Sequence, residues 1–356
     1  MSVQLRVVLD QASQIVDADQ ARAALSLTAG LIATAPRGCA VSALLPRRGE
    51  VSLRGLQDVR TLALGRSELA ATWQMGIAPG IGGGLIHAPS LMAPMVRHDR
   101  THDNHQITVT LWDLDPWEAP ESLPKAQLAW RRAMLKRAVK HADAVVVPSH
   151  AMGERLAEIA RLGDRIRVIA GAASDRFQVP ADAASRRETL QIPEQYVVIT
   201  GNGESLTAGF RAAARAGVDA VVLDAVDGSE PVLADAAAAA GLPERRAHIR
   251  GELGDADRAS VLGGAAALVA TSDRAAWPWR AVEAMTLGVP VVAIDSGVHR
   301  DVIADGGAIV AAADLDDALA EVLGTGRRMR VLASDRARAF SWASSAERVW
   351  ALHAEL

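Results

Sequence analysis

YVVITGNGESLTAGFRAAARAGVDAVVL, residues 196–223, contains one complete turn of a repeating pattern. It opens on a short run rich in β-branched residues, 196–200, of the kind that forms a strand covered on both faces. A glycine-bearing turn follows, Gly201-Asn202-Gly203-Glu204-Ser205, and a helix begins near Ser205. A second β-branched run returns at 220–223. Strand, turn, helix and strand make a βα unit, whose strands lie parallel. The backbone N–H groups of the turn, with the helix N-terminus behind them, can hold a phosphate; a plain tight turn accounts for the same residues.

The alternation extends in both directions. Upstream, strands are expected at 5–9, 39–45, 85–88, 107–112, 144–147 and 165–169, with a helix over 19–33 after the first. Downstream they are expected at 248–250, 267–270 and 289–294, with helices starting near Glu230, Asp255 and Arg280. The rhythm breaks at GAASDRFQVPADAASRRETLQIP, residues 171–193, which is polar and carries two prolines. The predicted organisation is a first Rossmann-like domain over 1–172, a linker over 173–194, a second Rossmann-like domain over 195–326, and a helical tail over 327–356 packing back on the first domain. The fold class is α/β, with two doubly wound parallel sheets. Ligands of such sheets bind outside the carboxyl ends of the strands, so an interdomain cleft is the natural place for a site.

Composition agrees. A chain of 356 residues, half of them apolar, fills two ordinary cores. A net charge of -4 argues against a general affinity for nucleic acid or anionic membrane. Cys39 is the only cysteine, which favours a reducing compartment. The start, MSVQLRVVLD, lacks a signal-peptide apolar core, and no run of 18 apolar residues spans a bilayer. The expected location is the cytoplasm, with contact at the inner face of the membrane left open.

Several clusters invite chemistry. Gly80 and Gly82–Gly84 precede a strand and read as a surface loop. The segment from Arg97 to His105 holds metal-ligand residue types, but without a partner cysteine it reads as a polar loop, and no metal is expected. The helix over 123–143 carries Lys125, Arg131, Arg132, Lys136, Arg137 and Lys140; this is either a solvated face or a contact for an anionic acceptor or membrane surface. Walker A, zinc-finger and G-x-S-x-G patterns are absent from the sequence.

Three ordered segments resemble the large retaining GT-B glycosyltransferase family that includes bacterial mannosyltransferases and sucrose synthases. TVTLWDLDPWEAPESLP (108–124), a basic helix and ADAVVVPSHAMGERLAEI (142–159) follow the family's first-domain order of strand, "HD-x-x-P" loop, helix and "AD-x-(V/L)-x-x-x-S". DRIRVIAGAASDRF (164–177) is similar to the lead into its linker. WPWRAVEAMTLGVPVVAIDSGVHRDVI (277–303) resembles its donor-site run. The tail FSWASSAERVW matches its last helix.

The resemblance implies transfer of a sugar from a nucleoside-diphosphate sugar to an acceptor hydroxyl with retention, and no cofactor. Glu283 would accept hydrogen bonds from the donor ribose. Gly201, Gly203, Ser296 and Gly297 would offer amides to the diphosphate, with Arg280 or Arg211 as cation. Asp113 would stand near the reacting sugar. Gln11, Ala12, Ser13 and Trp112 would lie on the acceptor side. The acceptor itself stays open, a lipid-linked or cell-envelope glycan being one class.

Three positions depart from the family pattern. Ala275 stands where a second acid is usual, Trp112 where a histidine precedes the aspartate, and GNGESLTAGFR lacks the usual Arg and Lys. A second reading is therefore a catalytically weak or silent homologue that binds nucleotide or assists a partner enzyme. A nucleotide-sugar epimerase on the same fold is a third.

Overall fold

Among the described residues thirteen strands form two sheets, each parallel throughout. The structure, a computed structural model, describes residues 3–98 and 105–356. The first sheet holds β1 (Val3–Val8), β2 (Cys39–Leu45), β3 (Asp58–Thr61), β4 (Leu85–Ala88), β5 (Gln106–Thr110), β6 (Ala144–Val147) and β7 (Ile166–Val168). Their order across it is β3-β2-β1-β4-β5-β6-β7. The second holds β8 (Tyr196–Thr200), β9 (Asp219–Val222), β10 (Ala247–Ile249), β11 (Leu268–Ala270), β12 (Val291–Ile294) and β13 (Ala308–Val310), ordered β10-β9-β8-β11-β12-β13. In each sheet the chain winds one way from its first strand and then returns to that strand's other side. This reversal creates a switch point between β1 and β4, and another between β8 and β11.

The chain divides into two compact units. One comprises Met1–Ser174, Arg274–Trp277 and Ser341–Leu356; the other comprises Asp175–Asp273 and Pro278–Phe340. In the first, Leu5, Val7, Ile86, Val109 and Val145 are fully buried, because helices cover both sheet faces. In the second, Val197, Ile199, Val269 and Val292 meet Phe210 and Leu319 from flanking helices. Each such side chain contributes roughly 1.5–3 kcal/mol on burial.

The tail divides where the sequence suggested one piece. Helix Gly326–Ala337 stays with the second unit, where Arg336 Nε donates to the Val302 carbonyl at 2.8 Å. Helix Trp342–Glu355 belongs to the first unit and crosses helix Ala18–Ala33 at Gly30. A Cβ on Gly30 would sit 2.7 Å from the Trp342 carbonyl oxygen, so only glycine permits this approach. Trp350 then donates its indole N–H to Leu31 O at 3.1 Å.

Nor is the predicted linker a bare connector. It contains helix Ala183–Thr189, and Arg187 Nη1 donates to Ser260 O at 3.1 Å within the second unit. Strands β3 and β13 escaped the sequence reading. All four residues of β3 are exposed and polar-rich, so it carries no apolar run, and β13 is an apolar run of only three residues, Ala308–Val310.

Candidate functional site

In the second unit the carboxyl ends of β8, β9, β11 and β12 gather most of the residues expected to meet a donor. Gly201 ends β8 where the backbone passes close to the end of β11. A Cβ there would lie 2.1 Å from Thr271 Oγ1 and 2.6 Å from Ser205 Oγ. Gly203 has φ +52, a left-handed conformation. The turn is tied down locally: Asn202 N donates to Ser205 Oγ at 2.9 Å, and Asn202 Nδ2 to Ser272 Oγ at 3.2 Å. Helix Leu206–Ala216 starts behind it. Ser296 caps helix Gly297–Val302 by accepting the His299 N–H at 3.1 Å. Its hydroxyl and carbonyl thus engage the His299 and Arg300 amides, which leaves those of Gly297 and Val298 for a ligand.

Glu283 sits on helix Trp279–Thr286 with its side chain 8% exposed. Arg258 Nη2 donates to its Oε1 at 2.9 Å and Arg258 Nε to its Oε2 at 3.0 Å. Arg280 Nη1 adds a third donor at 2.8 Å, while Arg280 Nε binds Asp224 at 2.7 Å. The Arg258 side chain is 1% exposed. Burial is the largest single influence and pulls its pKa down, but the charge and hydrogen bonds of Glu283, with the charge of Asp255, together turn the net direction up. Arg258 and Asp224 were not singled out from the sequence. The available signal was an arginine sharing one helical face with Val261 and Leu262, since a charge on an apolar face needs a buried partner. Arg211 is turned to Asp316 at 3.2 Å and to Ala312 O at 3.1 Å.

The first unit supplies a pocket of about 360 Å³ over the β1–β4 switch point, a volume within the range of small-molecule sites. Asp10, just past β1, forms its floor. Arg66 Nε and Nη2 each reach Asp10 Oδ2 at 3.0 Å, and Ser90 Oγ reaches Oδ1 at 3.0 Å. Burial pushes the Asp10 carboxyl up against the pull of Arg66 and Ser90. Gln11 Oε1 accepts the N–H groups of Val16 and Asp17, both at 2.8 Å, and so shapes the rim. Ala12 and Ser13 do not line the pocket. Trp112 does, yet it is 4% exposed: its indole N–H donates to Pro89 O at 2.8 Å and its ring stands edge-on to Trp342. An indole committed on both sides presents only part of its ring to the pocket.

Asp113 pairs with Ala276 in an isolated bridge, and Arg131 Nη2 donates to its Oδ1 at 2.7 Å. The segment Arg274–Trp277 continues this contact. Leu114 N donates to Ala275 O at 2.9 Å, Trp277 N to Trp112 O at 2.8 Å, and Ala275 N to Glu118 Oε2 at 2.8 Å. Asp115 lies alongside, its carboxyl raised to about 6 by burial and by the charge of Asp113.

Two sequence-level options take definite positions. The His98 side chain is buried, with Nε2 3.0 Å from Asp143 and Nδ1 3.0 Å from Val96 O, and its ring stacks on His105. The intervening residues of that loop, 99–104, lie outside the described residues. On the basic helix, Lys125–His141, Arg131 binds Asp113, Arg132 binds Pro116 O and Arg137 binds Met95 O. Much of its charge is therefore spent inside the first unit. Among the described residues no helix is long and apolar enough to cross a membrane.

Residues 182–325 match the model of the family described as "Glycosyl transferases group 1". No curated protein matches the sequence. Among solved structures, sucrose-phosphate synthase from Thermosynechococcus elongatus superposes with a TM-score of 0.71 at 18% identity, covering 99% of this chain and 98% of that one. HepE from Anabaena, solved in complex with UDP and glucose, gives 0.68 at 16%, covering 99% and 100%. WaaG, a glycosyltransferase involved in lipopolysaccharide biosynthesis, gives 0.61 at 14%, covering 97% and 98%. The fold is that of the GT-B glycosyltransferases, as the ordered sequence segments implied.

Proposed function

We propose, for a chain of GT-B fold whose second unit matches the group 1 glycosyl transferases, that it moves a sugar from a nucleoside-diphosphate sugar to an acceptor hydroxyl with retention of configuration. One observation carries this reading: the glycine turn, the Ser296–Gly297 helix start and the Glu283 cluster converge on the carboxyl ends of one parallel sheet, within the matched residues. In the proposed reaction the bond between the anomeric carbon and the leaving diphosphate breaks. The acceptor oxygen bonds to the same face of that carbon, and its proton passes to the departing diphosphate.

The protein's part is positioning and charge stabilisation. Arg280 and Arg211 are each paired with carboxylates. The diphosphate charge therefore falls chiefly to the amides of Gly201, Gly203 and Gly297. The Glu283 carboxylate already accepts four hydrogen bonds from Arg258 and Arg280, so a ribose hydroxyl would take the place of one of these arginine contacts. Asp113 would orient the transferred sugar and the first-unit pocket the acceptor. The reaction so drawn calls for no cofactor. Cytoplasmic residence suits a soluble nucleotide-sugar donor. A uridine diphosphate sugar heads the donor panel because HepE was solved with UDP-glucose.

The test is a panel of UDP-, GDP- and ADP-sugars, read first by thermal shift and then by donor consumption and product anomer. One nucleoside diphosphate should stabilise the protein, and its sugar should be consumed with the anomeric configuration kept. Binding without turnover of any donor would replace this reading by the silent-partner one.

A further inference from the structure

We propose that the first-unit pocket takes a neutral, hydroxyl-bearing sugar ring as acceptor, and discriminates against phosphorylated and carboxylated sugars; this rests on the transferase reading above. The argument starts from charge. Two cations line the pocket, and each is already neutralised: Arg66 by Asp10 at 3.0 Å and Arg131 by Asp113 at 2.7 Å. Both arginines are mostly buried, 19% and 13% exposed. An anionic ligand would have to strip a carboxylate from a largely buried guanidinium, which is strongly unfavourable. It would also approach Asp10 and Asp17, which line the same pocket. Asp17 is committed too, its Oδ1 capping helix Ala18–Ala33 through Gln20 N at 2.9 Å.

What remains for a ligand is uncharged. The amide of Gln127 and the Nε2 of Gln11 line or edge the pocket, and neither bonds another residue among those described. Ser67 and Thr110 line the same space. Gln127 supplies two donors and an acceptor, a set that matches vicinal hydroxyls, each of which both donates and accepts. Trp130 provides the apolar wall. Its indole N–H is fixed on Ala70 O at 3.1 Å, so its ring offers the pocket carbon surface rather than a polar atom. Apolar carbon on one side and unspent amides and hydroxyls on the other suit a pyranose, which has a C–H face and a rim of hydroxyls. An alkyl chain would leave those amides unpaired.

The experiment uses the full chain and reads acceptor binding apart from transfer. Saturation-transfer NMR would compare glucose, mannose and galactose with glucose 6-phosphate and glucuronate. At least one neutral hexose should give signal that is lost in Trp130→Ala, and the charged probes should give none. Gln127→Arg should invert the order, because a new unpaired cation favours the phosphate by about ten- to a hundredfold. Where the wild type transfers, kcat/KM should follow the same ranking. Preferential binding or use of a charged probe, or no hexose binding, would overturn the proposal even if donor turnover is normal. Hexose binding without donor turnover would instead sink the transferase reading and leave the pocket assignment standing.

Discussion

Removing the Glu283 carboxylate strands Arg258, whose side chain is 1% exposed and which directs Nε and Nη2 at Glu283. Breaking a buried pair by deleting one partner costs about 3–5 kcal/mol, because the survivor keeps its desolvation penalty. Arg258 retains Leu253 O and Asp255, both at 2.8 Å, so the lower part of that range applies. At 2–4 °C per kcal/mol for a domain of this size, Glu283→Ala should lower Tm by roughly 6–15 °C. Glu283→Gln keeps one acceptor oxygen but turns an amide toward the arginines, and should fall between. The double variant Arg258→Met with Glu283→Ala should recover much of the loss, a coupling of about 1–3 kcal/mol. Differential scanning calorimetry and urea titration of the parent, Glu283→Ala, Arg258→Met and the double variant close the cycle. A Glu283→Ala protein within about 2 °C of the parent, or strict additivity, would refute this account of the buried network. Nucleotide affinity is best read in Glu283→Gln, the milder change, where loss of a charged acceptor should weaken binding by about tenfold or more.

The buried pair His87 and His353 predicts an acid limb of stability. Burial, and then the charge of His353, depress His87 to about 3; burial depresses His353 to about 4 against the pull of Asp143. Because both folded values lie below the unfolded value of about 6.5, their contribution is complete above that pH. It is lost as pH falls toward 4 and then 3, at up to about 2.7 kcal/mol per unit while both groups differ in protonation. His353→Gln should remove about half of that slope in Tm against pH; an unchanged limb would contradict it. Gly201→Ala, whose Cβ would meet Thr271 Oγ1 at 2.1 Å, should displace the turn and weaken nucleoside diphosphate binding by at least about tenfold in calorimetry, if those amides hold the diphosphate. Gly30→Ala should cost about 1–3 kcal/mol in urea titration by pushing the Trp342 carbonyl, and helix Trp342–Glu355 with it, away from helix Ala18–Ala33, with nucleotide affinity unaffected.

Sequence alone determined the alternation. Runs such as 196–200 and 144–147 are short, β-branched and apolar on both faces, and a strand with that pattern is stable only inside a helix-covered parallel sheet. That is why two doubly wound sheets, and the residues at their carboxyl ends, were legible from local pattern. Tertiary structure alone decided the strand orders, the exposed edge β3 and the helix inside 173–194, because edge pairing depends on a neighbour rather than on the strand's own residues. It also decided the partners: Glu283 with Arg258, Arg66 with Asp10, Arg131 with Asp113. Those pairs are 25, 56 and 18 residues apart, and no periodicity relates such positions. A residue's type states which interactions it can make, whereas burial and the group brought to face it state which one it does make.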